Sequence, residues 1–143
     1  MKYILPLLVI LTSVIGSLAN FYINSDDWYL NLVKSPLNPP SFVFGIVWPI
    51  LYVIMAFVSF KMADKIAGLF MAQLLANAAW SWMFFYFHAP VIALLDICLL
   101  IFLNQKILKI LKEESGVLFY LYLPYLIWLL FAAFLNASIV FLN

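Results

Sequence analysis

Apolar residues occupy this chain in long blocks, and polar residues collect between them. The blocks cover 3–20, 42–60, 66–87, 90–110 and 117–142. Each is close to or above the roughly 20 helical residues that cross the hydrocarbon core of a bilayer, so the pattern predicts an all-α bundle of five transmembrane helices. Lys61, Asp64 and Lys65 separate the second and third blocks, and His88 to Pro90 separate the third and fourth. Breaks this short imply tight helical hairpins, which makes spans two, three and four antiparallel neighbours. The stretch 104–116, with three lysines and two glutamates, divides the fourth span from the fifth.

The first connection is of another kind. Residues 24–42 read NSDDWYLNLVKSPLNPPSF and run straight into FVFGIVWPILY. A turn between two spans needs only a few residues, so a loop over 21–41 that carries Trp28, Tyr29 and three prolines is more structure than topology requires. Function is expected at this junction.

Composition sets the solvent. With 69% hydrophobic and 9% charged residues and a mean hydropathy of +1.15, a soluble domain would have almost nothing to present to water, and the chain reads as a single membrane domain over 1–143. Charge then orients it. Lys2, Lys61, Lys65, Lys106, Lys109 and Lys112 fall on one side of the predicted bundle and only Lys34 on the other. The positive-inside rule therefore puts the N-terminus in the cytoplasm and the first loop, His88 and Asn143 outside, in what reads as a bacterial cell membrane. Lys2, the apolar run 3–15 and Ser17-Leu18-Ala19 ahead of Asn20 also fit a secretory signal peptide, an alternative to a retained first span.

Several chemistries are excluded by missing parts. His88 is the sole histidine, and no His, Cys or carboxylate cluster has metal-ligand spacing, so neither a bis-histidine haem within one subunit nor a metal site is expected. The lone Cys98 cannot form an intrachain disulfide and reads as a packing residue. No lysine lies mid-span, Asp96 is the only carboxylate deep in one, and phosphate loops and nucleophile motifs are absent. A hydrolase, kinase or ion pump has no machinery here, and no nucleic-acid partner is expected. Asp96 itself is costly in lipid unless protonated or paired with a donor, which gives it a structural hydrogen-bonding reading beside one in ligand or proton handling.

What remains is aromatic and amide chemistry inside the bilayer. Gln73, Asn77 and Trp80 share one face of span three, and polar side chains in lipid turn inward. Taken alone, each amide reads first as a hydrogen-bond partner for neighbouring helices. Tyr125, Trp128, Ala132, Leu135 and Asn136 form a similar stripe in span five, as do Trp48, Tyr52 and Met55 in span two. Pro49 and Pro124 have no N–H for the carbonyls of Gly45 and Tyr120, so bends are expected beside Trp48 and Trp128. Trp28, Tyr29 and Trp82 could instead belong to an interfacial aromatic belt. Gly68, Ala72 and Ala76 make a small-residue stripe on span three, fit to pack against another helix of the same subunit or of a second copy.

The segment WYLNLVKSPLNPPSFVFGIVWPILY resembles the signature of the TspO/MBR family of translocator and tryptophan-rich sensory proteins, W-Y-x-x-L-x-K-P followed by P-P and F-G-P-V-W-T-x-L-Y. QLLANAAWSWMFF and PYLIWLLFAAFLN are similar to the family's Q-L-x-x-N-x-x-W and P-Y-x-x-W-x-x-F-A blocks, in the right order and spacing. The resemblance implies a five-helix bundle, usually a homodimer paired through span three at Gly68, Ala72 and Ala76. It also implies a pocket beneath the first loop for porphyrins, haem and related hydrophobic ligands, with no obligatory cofactor. Carried over by position, ligand-binding residues are Tyr29, Pro39, Trp48, Asn77, Trp80, Trp128, Ala132 and Leu135. Receptor, transport or stress-sensing roles follow, or alternatively light-dependent porphyrin breakdown involving Trp48 and Trp128, or a regulatory scaffold. Ser35 before Pro36, Ile46 and Pro49 depart from the pattern at the loop hinge and in span two, Ile92 stands where some members have tryptophan, and no Lys or Arg follows span five to support sterol binding.

Overall fold

The computed structural model describes residues 1–22 and 27–143; the portion of the predicted 21–41 loop at 23–26 lies outside the described residues. Among those described there are four α-helices and no strand: α1 Ile4–Ala19, α2 Ser41–Ser81, α3 Pro90–Glu114 and α4 Gly116–Leu142. Three helices are long and apolar enough to cross a membrane, and α1 is a shorter apolar one. A 3-10 turn, Asn20–Tyr22, follows α1, and a π-helical turn, Trp82–Tyr86, follows α2.

α2 accounts for two of the predicted blocks because it folds back on itself. Met62 leaves helical geometry (φ −121°, ψ 21°), and Gln73 Nε2 lies 3.6 Å from Met55 Sδ although the two residues are 18 apart in sequence. In a straight helix that separation would be about 27 Å. The two arms therefore run side by side, and the reversal occurs where Lys61, Asp64 and Lys65 suit an aqueous surface better than lipid. Neither proline produces a break of this kind: Pro49 and Pro124 sit inside α2 and α4, and Met62 is the interior residue with non-helical angles.

The polar stretch 104–116 is not a connection. α3 continues to Glu114, and Ser115 alone separates it from α4, its hydroxyl accepting from Leu118 N at the start of that helix. Asn104 is fully buried. The lysines misled because they lie on the outer face of a helix that extends past the apolar region, which charge counting cannot tell from a loop.

The helix ends sort into two groups. Tyr3 packs on Phe60 with ring centroids 5.8 Å apart, and Lys65 lies 3.9 Å from Glu114 in an exposed ion pair. At the opposite end, Trp82 Nε1 donates to Ile15 O at 2.8 Å and Asn136 Nδ2 to Pro90 O at 2.9 Å. The two termini thus lie at opposite ends of the bundle, with a core that includes Met55, Phe70, Tyr122, Tyr125 and Leu129 between them.

The described part of the first loop folds over the second end. Asn143 Oδ1 accepts from Val33 N at 2.9 Å while its Nδ2 donates to Val33 O at 2.9 Å, a two-bond clasp between the loop and the end of α4. Trp28 stacks on His88 at 4.3 Å, and Tyr29 meets Phe85 edge-on at 5.3 Å. His88 holds a left-handed backbone (φ 53°), which reverses the chain between the π turn and α3.

Candidate functional site

Under the loop lies a cavity of about 1100 Å³ between α1, both arms of α2, α3 and α4. Its position follows from which side chains the helices turn inward. Trp48 from the first arm and Trp128 from α4 meet edge-on, with centroids 6.4 Å apart and planes at 89°. Trp80 from the second arm stacks on Phe84 of the π turn at 5.2 Å. Tyr29 and Pro39 close the loop side. The walls are thus large aromatic faces suited to a flat apolar ligand.

Polar atoms on these walls differ in how far they are already used. The Trp80 indole donates to Asn136 Oδ1 at 3.0 Å. Asn77 accepts from Tyr52 OH at 2.9 Å and donates to Tyr125 OH at 2.8 Å. Trp128 Nε1 is buried and has no hydrogen-bond partner among the described residues. An unmet buried donor is costly, about 1–3 kcal/mol, and a ligand acceptor at that atom would remove the penalty. Pro49 leaves the Gly45 carbonyl without its usual helical donor, and both residues line the same space.

Beneath the cavity the bonds continue as one connected network. Tyr125 OH donates to Gln73 Oε1 at 2.7 Å, Asn104 Nδ2 reaches the same oxygen at 3.2 Å, and Tyr122 OH donates to Asn104 Oδ1 at 2.6 Å. Four polar side chains that would each be penalised in lipid satisfy one another here and fix the floor on which Asn77 sits.

On the loop, Lys34 Nζ donates to Tyr29 O at 2.7 Å and lies 4.4 Å from the Tyr29 ring centre. Burial lowers the Lys34 pKa from its ordinary value. Burial likewise raises that of the Tyr29 phenol, partly opposed by a hydrogen bond with Asn38. Among the described residues Lys34 is the one lysine at the loop end of the bundle, and it braces the loop residue that covers the cavity.

Comparison with known proteins gives the family. A model of the TspO/MBR family matches residues 5–142. The chain belongs to the TspO/MBR family. It is similar to the tryptophan-rich protein TspO of Chlorobaculum tepidum (36% identical, covering 81% of this chain and 79% of that one). It is likewise similar to the protein of the same description from Archaeoglobus fulgidus (32%, covering 100% and 97%). The translocator protein of Ovis aries is 30% identical, covering 85% and 79%. As a TspO/MBR chain with long apolar helices, it is a membrane protein.

All eight expected ligand residues, Tyr29, Pro39, Trp48, Asn77, Trp80, Trp128, Ala132 and Leu135, line this TspO/MBR cavity. Gln73, expected on the same face, is instead fully buried in the network below, bonded to neighbouring helices. Trp82 and Trp28 are engaged by Ile15 and His88 at the loop end. Gly68 and Ala72 lie on the surface, whereas Ala76 is buried in the subunit's own core. Asp96 is half-buried on α3, and its Oδ2 has no hydrogen-bond partner among the described residues. Sequence reasoning missed Phe84 and Phe85, which the π turn delivers to the cavity, and Ser13, Gly16 and Ser17 of α1. The serines had a readable signal, three small residues at spacings of three and one in an otherwise bulky span, but the same pattern describes a signal-peptide end.

Proposed function

We propose that this TspO/MBR protein binds porphyrins and related planar hydrophobic molecules within the bilayer. The observation that carries the reading is the unpartnered Trp128 indole N–H in a cavity of about 1100 Å³ walled by Trp48, Trp80 and Trp128. That volume lies just above the range of about 300–1,000 Å³ typical of small-molecule sites, which suits a ligand larger than most metabolites. Stacking on indole faces and one hydrogen bond to Trp128 need no metal and no catalytic group. Relatives described as translocator and tryptophan-rich sensory proteins favour handling or sensing of such a ligand. The polypeptide crosses the membrane five times, α2 twice, with its N-terminus cytoplasmic and its loop outside, and pairs through the exposed Gly68 and Ala72 face. Titrating reconstituted protein with protoporphyrin and following tryptophan quenching tests the reading: saturable binding, weakened in Trp128→Phe, is expected, and its absence removes it.

The edge-on Trp48 and Trp128 pair, 6.4 Å apart, favours a second reading. In this reading light drives oxidative breakdown of the bound porphyrin: the macrocycle is the group oxidised, dioxygen is the oxidant and takes up its electrons, and the indole pair relays them while the porphyrin supplies the hard chemistry. Illuminating the complex and following the porphyrin absorption separates this from binding alone.

A further inference from the structure

We infer that the ligand enters the cavity sideways from the bilayer, through a slot between α1 and the first arm of α2, rather than through the loop. This rests on the reading that the cavity holds a planar hydrophobic ligand. A residue that both lines a cavity and lies on the protein surface marks a mouth. Ile10 of α1 (58% exposed) and Val53 of the first arm (69% exposed) do both, as do Gly45 and Pro49. These residues sit within apolar helices, so the mouth faces hydrocarbon and not water.

The slot exists because the sequence places little bulk there. A Cβ built on Gly45 meets nothing within 4 Å, and one on Gly16 meets only the Ser81 and Tyr52 hydroxyl oxygens, each at 3.8 Å. Its polar edge suits lipid, since Ser13 and Ser17 donate their hydroxyl protons to carbonyls of their own helix at 2.7 and 2.6 Å. The loop end has exposed lining residues too, Asn20, Leu30 and Ser41, but its described part is tied down. There the loop is clasped to Asn143 by two hydrogen bonds, braced by Lys34 and packed through Tyr29 on Phe85. A molecule that partitions strongly into lipid reaches the side mouth at high local concentration, whereas the loop route requires those contacts to break.

The test uses full-length protein in lipid vesicles, with protoporphyrin already dissolved in the bilayer and stopped-flow tryptophan quenching as the readout. Gly45→Leu projects a side chain into open space at the mouth, and leucine is the better helix former, so folding is retained. Val53→Phe narrows the mouth independently from an exposed position. Both variants should associate about tenfold more slowly than the parent and also release the porphyrin more slowly, which a merely weakened site would not do. Association at the parental rate in both overturns the slot. A second measurement does not depend on porphyrin: bromine placed mid-chain on the lipids should quench tryptophan fluorescence less in Gly45→Leu than in the parent. Unchanged quenching also overturns the proposal, and relief of quenching without any porphyrin binding supports the slot while removing the functional reading.

Discussion

Asn104 is the residue at which the network beneath the cavity is most open to attack. It is fully buried, accepts from Tyr122 OH at 2.6 Å, and donates to Gln73 Oε1 at 3.2 Å and to Leu100 O at 2.9 Å. Asn104→Leu keeps the volume and removes the polar atoms. Hydrogen bonds between membrane helices contribute only about 0.6 kcal/mol each on average, so the two interhelical bonds account for about 1.2 kcal/mol. The larger loss comes from the Tyr122 hydroxyl, left buried without an acceptor at a cost of about 1–3 kcal/mol. The sum is about 2–4 kcal/mol of destabilisation. Adding Tyr122→Phe removes the stranded hydroxyl, so the double variant should be more stable than Asn104→Leu alone by about 1 kcal/mol or more. Reversible unfolding in mixed micelles, followed by circular dichroism, measures all three against the parent. A neutral Asn104→Leu, or a second substitution that simply adds its own loss, would refute the reasoning that unmet polarity rather than the bonds themselves dominates.

Reporter fusions after Lys112 and after Asn143 should read cytoplasmic and external; the same side for both would defeat five crossings. Ala72→Phe, on the exposed part of the small-residue stripe, should give a monomer in mild detergent by light scattering while porphyrin binding survives; an intact dimer places the interface elsewhere. Ala76→Phe is a poorer probe, because Ala76 packs in the subunit's own core and a phenyl ring there should lower stability by about 1–3 kcal/mol. Asn143→Ala removes the clasp on Val33 and should speed tryptic cleavage after Lys34 several-fold; an unchanged rate would show that the aromatic contacts alone hold the loop.

The helices and the site were legible for different reasons. Long apolar blocks report helices through length alone, and inward faces could be read because amides and indoles at helical spacing have nowhere else to go in lipid. Hence Asn77 and Trp80 read as one inward face and Trp128 as part of a second, and the family resemblance joined the two in one pocket. The resemblance added Tyr29 and Pro39, which no periodicity selects because they lie in the loop. Three features resisted. Met62 carries the reversal of α2 with no glycine or proline to announce it. Asn104 sits among lysines that read as a turn, and only its burial against Tyr122 and Gln73 reveals a core residue. The π turn at Trp82–Tyr86 shifts Phe84 and Phe85 off the α-helical register, so a regular helical projection misplaces them.

If Trp128 offers its indole N–H to a planar ligand, as proposed, an equilibrium titration of reconstituted protein with protoporphyrin in the dark reads that hydrogen bond out. Saturable quenching of tryptophan fluorescence is predicted for the parent. In Trp128→Phe, which keeps an aromatic face but has no N–H, the affinity should fall about tenfold, equivalent to about 1.4 kcal/mol. Binding in Trp128→Phe as tight as in the parent would rule out that hydrogen bond, and no saturable binding in either would rule out a porphyrin site.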